Sequence, residues 1–197
     1  MGKKPPIPTP TDATWFDHHQ LNFWLWASLK DAATYLESSH AHSVAMDKHF
    51  SDGLESMSKF KNEVDCCRQQ MTLDAYHFVV TMGNTLRMLE RAQHLFPSIQ
   101  PAYSNAKHLL REGKQLRNMI EHTEGLDGYR AGGGHLKDQF VRENAPITGC
   151  SADATSTVIN NDGHWLGGRL CVEFAVNEFK TIQREAEKVP PPATNLP

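Results

Sequence analysis

The stretch LDAYHFVVTMGNTLRMLERAQHLF, residues 73–96, carries the clearest structural pattern in this chain. Its large apolar residues fall within one arc when successive residues are placed about 100° apart around a helix. These residues are Phe78, Val79, Met82, Leu86, Leu89 and Phe96. The pattern predicts an α-helix from Leu73 to Phe96 with one buried face. We expect it to end before Pro97 and Pro101, because proline has no backbone N–H to continue the hydrogen-bond ladder.

A second helix is predicted after these prolines. It opens at Ser98 or Pro101 and runs to about Glu124. Small and apolar residues recur in it at spacings of three and four, which is the stripe of a packed amphipathic helix. The stripe consists of Ala106, Leu109, Gly113, Leu116 and Ile120. The glycine-rich segment EGLDGYRAGGG, residues 124–134, predicts the end of the helix and a loop.

The segments on either side complete a helical chain. Thr11 or Asp12 is a predicted N-cap for a helix from Trp15 past Leu36. Aromatic residues cover more than one face of this helix, so we expect it to pack on two sides or against another subunit. The polar segment at residues 38–70 predicts a continuation of the helix, with a break near Gly53.

The C-terminal third predicts a β-hairpin followed by a last helix. ATSTVINNDGHWL, residues 154–166, places β-branched residues around Asn-Asp-Gly, which is a hairpin signal. Residues 167–188 predict an amphipathic helix with Leu170, Phe174, Ala175 and Ile182 facing inward. The predicted fold class is therefore all-α: a bundle of four or five helices with a small β-hairpin before the last helix.

Size and composition fit one globular domain. In a chain of 197 residues we expect a single helical-bundle domain at residues 12–189, between proline-rich disordered tails at 1–11 and 190–197. The net charge of −3 predicts no overall attraction to nucleic acid or anionic membranes, so such binding needs a local basic face. Without a predicted membrane span or signal peptide, the four cysteines are expected to be reduced structural thiols in the cytoplasm.

The late part of the second helix carries the candidate chemistry. In QLRNMIEH, residues 115–122, Asn118 follows Arg117 and shares a helix face with His122, which lies four residues later. Histidine exchanges protons near neutral pH, and an arginine stabilises charge that develops on a phosphate. If the 2′-hydroxyl of RNA is the attacking group, neither a metal nor a protein nucleophile is required. Arg117, Asn118 and His122 are therefore the candidate catalytic residues.

The face that carries Asn118 and His122 is predicted to point away from the buried stripe. It also carries Lys107, Arg111 and Lys114, which we call the basic strip and interpret as the candidate RNA-binding residues. Positions five apart on a regular helix diverge by about 140°, so Arg117 and His122 converge only through the long arginine, an irregular helix or a second copy of the chain. The alternative is an ordinary ion pair between Arg117 and Glu121, with Asn118 and His122 in solvent.

Other histidine arrangements are less specific. Arg130 and His135 are separated by Ala131 and three glycines, which fix no geometry. His40 and His42 diverge by about 200° on a helix and no HExxH pairing occurs, so we predict neither a metal site nor a cofactor. A histidine-rich metal-binding bundle remains a third hypothesis, which elemental analysis of the purified protein would test.

LRNMIEH, residues 116–122, resembles the motif of the HEPN superfamily, in which an Arg, a following polar residue and a downstream His lie on one helix. The hairpin and LGGRLCVEF, residues 166–174, are similar to a layout of uncharacterised bacterial HEPN-like proteins. The resemblance implies a four- or five-helix bundle, commonly dimeric, with two motifs facing each other across a cleft. Many members are metal-independent endoribonucleases of toxin–antitoxin or phage-defence systems.

Carried over by residue, the resemblance makes Arg117 and His122 the catalytic pair and Asn118 the supporting polar residue. The expected partners are a second copy of the chain, an RNA substrate and an antitoxin or other partner protein. Some HEPN-like proteins are non-catalytic binding or dimerisation modules. A helical dimer that binds RNA or protein without cleaving it is therefore the alternative.

Overall fold

The computed structural model describes residues 12–51, 57–121, 141–143, 146–148 and 151–189. The helices are α1 (Asp12–Ser51), α2 (Met57–Leu95), α3 (Gln100–Glu121) and α4 (Val172–Glu187), with a 3-10 turn at Pro97–Ile99. The strands are β1 (Val141–Glu143), β2 (Ser151–Asp153), β3 (Thr157–Asn160), β4 (Gly163–Leu166) and β5 (Leu170–Cys171). The predicted fold class is confirmed: the described chain is mostly helical, with a small antiparallel sheet before the last helix.

The two longest helices, α1 and α2, form an antiparallel pair. Near one end, Arg91 makes an ion pair with Asp17 at 2.7 Å, and at the other Lys48 lies 3.3 Å from Glu63. Between these ends the buried hydroxyl of Thr85 donates to the Trp24 carbonyl at 2.8 Å. The predicted continuation of α1 is confirmed as far as Ser51, and the predicted break near Gly53 lies outside the described residues. Helix α2 joins the second part of the polar segment at residues 38–70 to the predicted helix at residues 73–96 and ends at Leu95.

The core lies where the second half of α2 packs together with α1, α3 and α4. All six residues of the predicted arc of α2 are buried. The predicted stripe of α3 is also confirmed, with Ile120 partly buried at its end. Gly113 faces Met82 so closely that a Cβ on the glycine would lie 1.4 Å from the methionine Cε. The two helices approach each other at this point because one of them has no side chain there.

The sheet begins with the predicted hairpin. Strands β3 and β4 pair antiparallel from Thr157↔Leu166 to Asn160↔Gly163, so the turn falls on Asn161 and Asp162. Strand β5 extends this sheet through Trp165↔Cys171 and Leu166↔Leu170, and β1 and β2 form a separate antiparallel pair. The sequence analysis did not predict β1, β2 or β5, because strands of two or three residues are too short to show a period of two.

Helix α4 starts directly after β5. Leu170, Ala175 and Ile182 are buried as predicted, but the inward placement of Phe174 is wrong, since its side chain is 54% exposed. The inward face follows spacings of three and four through Val172, Ala175, Phe179, Ile182 and Ala186. Phe174 lies about 100° from Ala175 around the helix and so falls outside that face.

Helix α1 has one buried face and one exposed aromatic face. Tyr35 is fully buried, whereas Phe23 and Trp26 are 46% and 53% exposed, and Lys30 lies over the Trp26 ring. The structure does not describe the side chains of Trp15 and Phe16, the first two aromatic residues of α1. The prediction that α1 packs on two sides or against another subunit stays a prediction.

No helix among the described residues combines the length and the apolar character needed to cross a membrane. The predicted tails at 1–11 and 190–197 lie outside the described residues, as do Arg130 and His135.

Candidate functional site

Arg117 lies one turn before the end of α3, on the side that faces α2. Its Cδ is so close to Gly83 of α2 that a Cβ on this glycine would lie only 2.7 Å from it. The Arg117 Nε is buried, while the residue as a whole is partly exposed. Glycine costs about 1 kcal/mol relative to alanine inside a helix, but here it provides the space that the arginine stem occupies. Arg117 is therefore packed into the contact between two helices.

The other two residues of the predicted motif lie beside this contact. Asn118 is partly exposed on α3. His122 follows Glu121, the last residue of α3, and lies outside the described residues. The pairing of Arg117 with His122 therefore stays a prediction, and so does the alternative ion pair with Glu121.

The basic strip lies on the outer side of α3. Lys107, Arg111 and Lys114 are all exposed. Arg117 does not extend this strip, because it lies one turn beyond Gly113 and shares the α2-facing side of the helix. Arg117 therefore faces α2, whereas the basic strip faces solvent, and the two can contact different groups of one ligand.

An open groove of about 460 Å³ borders the end of α3. Ile120 forms one wall, and α2 contributes Thr72, Leu73 and Tyr76, with Arg68 at the edge. Leu73 and Tyr76 are 47% and 38% exposed. The groove thus combines an aromatic ring and an arginine of α2 with Ile120, which lies two residues before the predicted catalytic His122 in the sequence.

A second and larger cavity, of about 570 Å³, lies between α3, the β3–β5 sheet and α4. We call it the α3–α4 cavity. Its lining residues include Glu112, Asp162, Trp165, Arg169, Glu173 and Phe174. The β4–β5 turn brings Arg169 to within 3.8 Å of Glu112 of α3, and the two side chains are only 6% and 16% exposed. This ion pair joins the sheet to α3 at the inner end of the cavity.

Glu173 is held firmly at the cavity wall. Its Oε2 accepts a hydrogen bond from the backbone N–H of His164 at 2.8 Å, and its Oε1 accepts one from the His164 Nδ1 at 2.5 Å. Burial raises the pKa of Glu173, but the hydrogen bonds from His164 outweigh burial and leave the pKa below its usual value. Glu173 is therefore an ionised and oriented carboxylate at neutral pH.

Cys171 adjoins this pair but lacks the environment of a nucleophile. Its Sγ lies 3.6 Å from Glu173 Oε2. Burial is the main reason that the pKa of the thiol is raised, and the neighbouring Glu173 carboxylate raises it further. Reactive cysteines have lowered pKa values next to positive groups, which is the opposite arrangement. The thiol therefore stays protonated at neutral pH, as expected for a structural cysteine.

The sequence analysis did not identify the α3–α4 cavity. The segment LGGRLCVEF contains Arg169, Cys171 and Glu173, but only the turn between β4 and β5 brings His164 next to Glu173. The available signal was a glutamate in the first turn of a helix that directly follows a predicted hairpin. Within the described parts of the chain, no group of three or more His, Cys, Asp or Glu side chains is placed to hold a metal ion.

The chain was also compared with known proteins. No protein-family model, curated protein or solved structure matches it at the significance that we required. The resemblance of LRNMIEH to the HEPN motif therefore rests on the sequence alone, and the function has to be argued from the geometry.

Proposed function

We propose that this protein is a HEPN-like, metal-independent endoribonuclease of a toxin–antitoxin or defence type that acts as a homodimer in the cytoplasm. Its site lies at the end of α3. The observation that carries the proposal is the packing of Arg117 against Gly83, which holds the arginine stem in the α2–α3 contact. A guanidinium on a fixed stem loses less entropy when it binds a phosphate, which favours stabilisation of the transition state.

In this proposal each motif residue has one role. His122 takes the proton from the 2′-hydroxyl of RNA as general base, and Arg117 binds the phosphate on which negative charge develops. The 2′-oxygen attacks the phosphorus, and the bond to the 5′-oxygen of the next nucleotide breaks as that oxygen takes a proton from water. His122 then returns the proton it took to solvent. The products are a 2′,3′-cyclic phosphate and a 5′-hydroxyl end. Asn118 positions the imidazole or the phosphate by hydrogen bonding.

The RNA is proposed to lie along the outer side of α3 and into the open groove. The exposed cations of the basic strip contact phosphates upstream of the cleaved bond. In the groove, the ring of Tyr76 offers a stacking surface for an unpaired base beside the end of α3. Single-stranded RNA is therefore the expected substrate.

The test is cleavage of single-stranded RNA in the presence of EDTA. The wild type should give products with 2′,3′-cyclic phosphate ends, and His122→Ala and Arg117→Ala should each lower the rate at least about 100-fold. Matched controls are His94→Ala and Arg184→Ala, which replace exposed residues of the same types on α2 and α4. Thermal melting of each variant separates loss of chemistry from loss of fold, and Arg117→Lys tests the guanidinium with less disturbance.

The alternative is a non-catalytic dimer that binds RNA or a partner protein. One observation favours it: the basic strip lies on a different side of α3 from Arg117, so binding by the strip does not require this arginine. RNA binding without cleavage would support this alternative. Cleavage that survives His122→Ala, or that requires Mg²⁺, would contradict the nuclease proposal.

A further inference from the structure

The α3–α4 cavity is separate from the proposed RNA site. On α3 its lining residues are Asn105, His108, Leu109 and Glu112. At about 100° per residue, these positions lie roughly opposite Lys107, Arg111 and Lys114 around the helix. The cavity and the basic strip therefore open on different sides of the molecule. A ligand in this cavity would be recognised independently of RNA.

The walls of the cavity are mainly apolar, and two of them are aromatic. The indole Nε1 of Trp165 donates to Asn160 Oδ1 at 3.1 Å, which fixes the plane of the ring. Phe174 projects from α4 beside the cavity with 54% of its side chain exposed, although it lies on a well-packed helix. Small-molecule sites typically have volumes of roughly 300–1,000 Å³ and mostly apolar walls with a few polar groups. The α3–α4 cavity, at about 570 Å³, falls within this class.

The charged groups of the cavity are mostly negative. Glu112, Asp162 and Glu173 contribute carboxylates, and Arg169 is the cation among the lining residues that the structure describes. Arg169 lies next to Glu112, so these two charges largely offset each other. Asp162 and Glu173 remain on the side formed by the hairpin turn and the start of α4, where Glu173 is already bonded to His164 through both of its oxygens and Asp162 is exposed. The cavity therefore favours a positively charged group at that side.

We propose that the α3–α4 cavity binds a small organic cation with an aromatic or aliphatic body and one ammonium or guanidinium group. The body occupies the apolar space between Leu109, Trp165 and Phe174. The cation lies near Asp162 and Glu173, where it also meets the face of an aromatic ring, an arrangement that recurs in sites for organic ammonium ions. The Glu173 carboxylate is held by His164 before the ligand arrives, so binding does not have to order it.

Three probes that share one body test this proposal on the full chain. They are 2-phenylethylamine, which is cationic, 2-phenylethanol, which is neutral, and 3-phenylpropionate, which is anionic. Their affinities can be compared by ligand-observed NMR and titration calorimetry at neutral pH. We expect the amine to bind at least about tenfold more tightly than the alcohol, and the carboxylate more weakly than either.

Two variants locate the binding. Phe174→Ala should weaken the binding of the amine and the alcohol alike, because it removes part of the apolar wall. Asp162→Asn should weaken the amine several-fold and leave the alcohol unchanged. The matched control is Ile159→Ala, since Ile159 is 51% exposed on β3 and is not a lining residue of the cavity. RNA cleavage plays no part in these measurements, so the two proposals can fail separately.

Several results would overturn the proposal. One is equal affinity for the three probes, which would show that charge is not recognised. Another is tighter binding of 3-phenylpropionate, which would make Arg169 the recognising group. A third is failure of all three probes to bind, and a fourth is amine binding that both cavity variants leave unchanged.

Discussion

At the scale of single residues, Gly163 leaves the space that the Glu173 carboxylate occupies. Gly163 has a φ of +133°, which side chains rarely adopt, and a Cβ there would lie 2.2 Å from Glu173 Oε2. The hairpin therefore needs glycine both for its backbone and for the space that the carboxylate occupies. Gly168, in the turn before β5, also has a positive φ, of 62°.

We expect Gly163→Ala to lower the free energy of unfolding by about 2–4 kcal/mol, because backbone strain adds to the loss of the hydrogen bonds between Glu173 and His164. In a Glu173→Ala background the contact is absent and only the strain remains, so Gly163→Ala should cost about 1–2 kcal/mol relative to Glu173→Ala. Urea denaturation of these variants measures the difference. Equal costs would mean that the contact with Glu173 contributes nothing.

The lowered pKa of Glu173 predicts a pH dependence of stability. When the folded-state pKa of a carboxyl group is below the unfolded value, its stabilising contribution is present above the unfolded pKa and is lost as the pH falls through the folded pKa. With an ordinary value of 4.5, the contribution should be complete at neutral pH. Glu173→Gln should therefore be less stable than the wild type at pH 7, and the gap should narrow below about pH 4.5. Urea denaturation at several pH values measures both stabilities. A difference between them that grows as the pH falls would contradict the stabilising role of the Glu173 carboxylate.

At the scale of elements, α4 shows that the position of a residue around the helix decides whether its side chain is buried. Phe174 and Phe179 are the same residue type on the same helix, yet they are 54% and 0% exposed. Phe179→Ala should cost about 3–5 kcal/mol of unfolding free energy, because it leaves a cavity in the core. Phe174→Ala should cost less than about 1 kcal/mol. Thermal or urea unfolding of the pair checks this, and similar losses in both would mean that Phe174 supports the fold.

The elements also differ in how well the sequence predicted them. The faces of α2 and α3 were predicted almost residue by residue, because their apolar side chains repeat with the helical period over several turns. The first part of α2 has no such period, and β5 has only Leu170 and Cys171. Phe174 was misplaced because a large apolar side chain was assumed to face inward, whereas the buried face is set by the spacing of three and four residues from Val172 to Ala186.

The candidate sites were predictable to different degrees. The exposure of Lys107, Arg111 and Lys114 follows from their position opposite the buried stripe. The packing of Arg117 on Gly83 joins two helices, and nothing in either segment alone indicates the contact. The pairing of His164 with Glu173 likewise depends on the path of the chain through β4 and β5. Local periodicity did not predict the contacts between elements.

At the scale of the whole molecule, the chain is mildly acidic and yet carries cations on one side of α3. If RNA binds there, replacing Lys107, Arg111 and Lys114 together by glutamine should remove three phosphate contacts. The slope of log affinity against log salt should then become shallower by about 2, since each contact to single-stranded RNA contributes about 0.7. Fluorescence anisotropy with a labelled single-stranded RNA at several salt concentrations measures this slope.

A matched variant separates local from overall charge. Lys61, Lys180 and Arg184 are exposed on α2 and α4, and replacing them by glutamine changes the net charge by the same amount. The slope should stay within about 0.5 of the wild-type value in this variant. If both triple variants behave alike, RNA responds to the charge of the whole protein and the basic strip is not its binding surface.

The unequal lengths of the helices predict where the chain unfolds locally. At about 1.5 Å per residue, the 40 residues of α1 extend about 60 Å, whereas the 22 residues of α3 cover only about 33 Å. At the far end of the α1–α2 pair, residues 46–51 and 60–73 include no buried position. Backbone amides in this projecting arm should exchange hydrogen for deuterium through local fraying, while those beside α3 exchange only when the whole bundle opens.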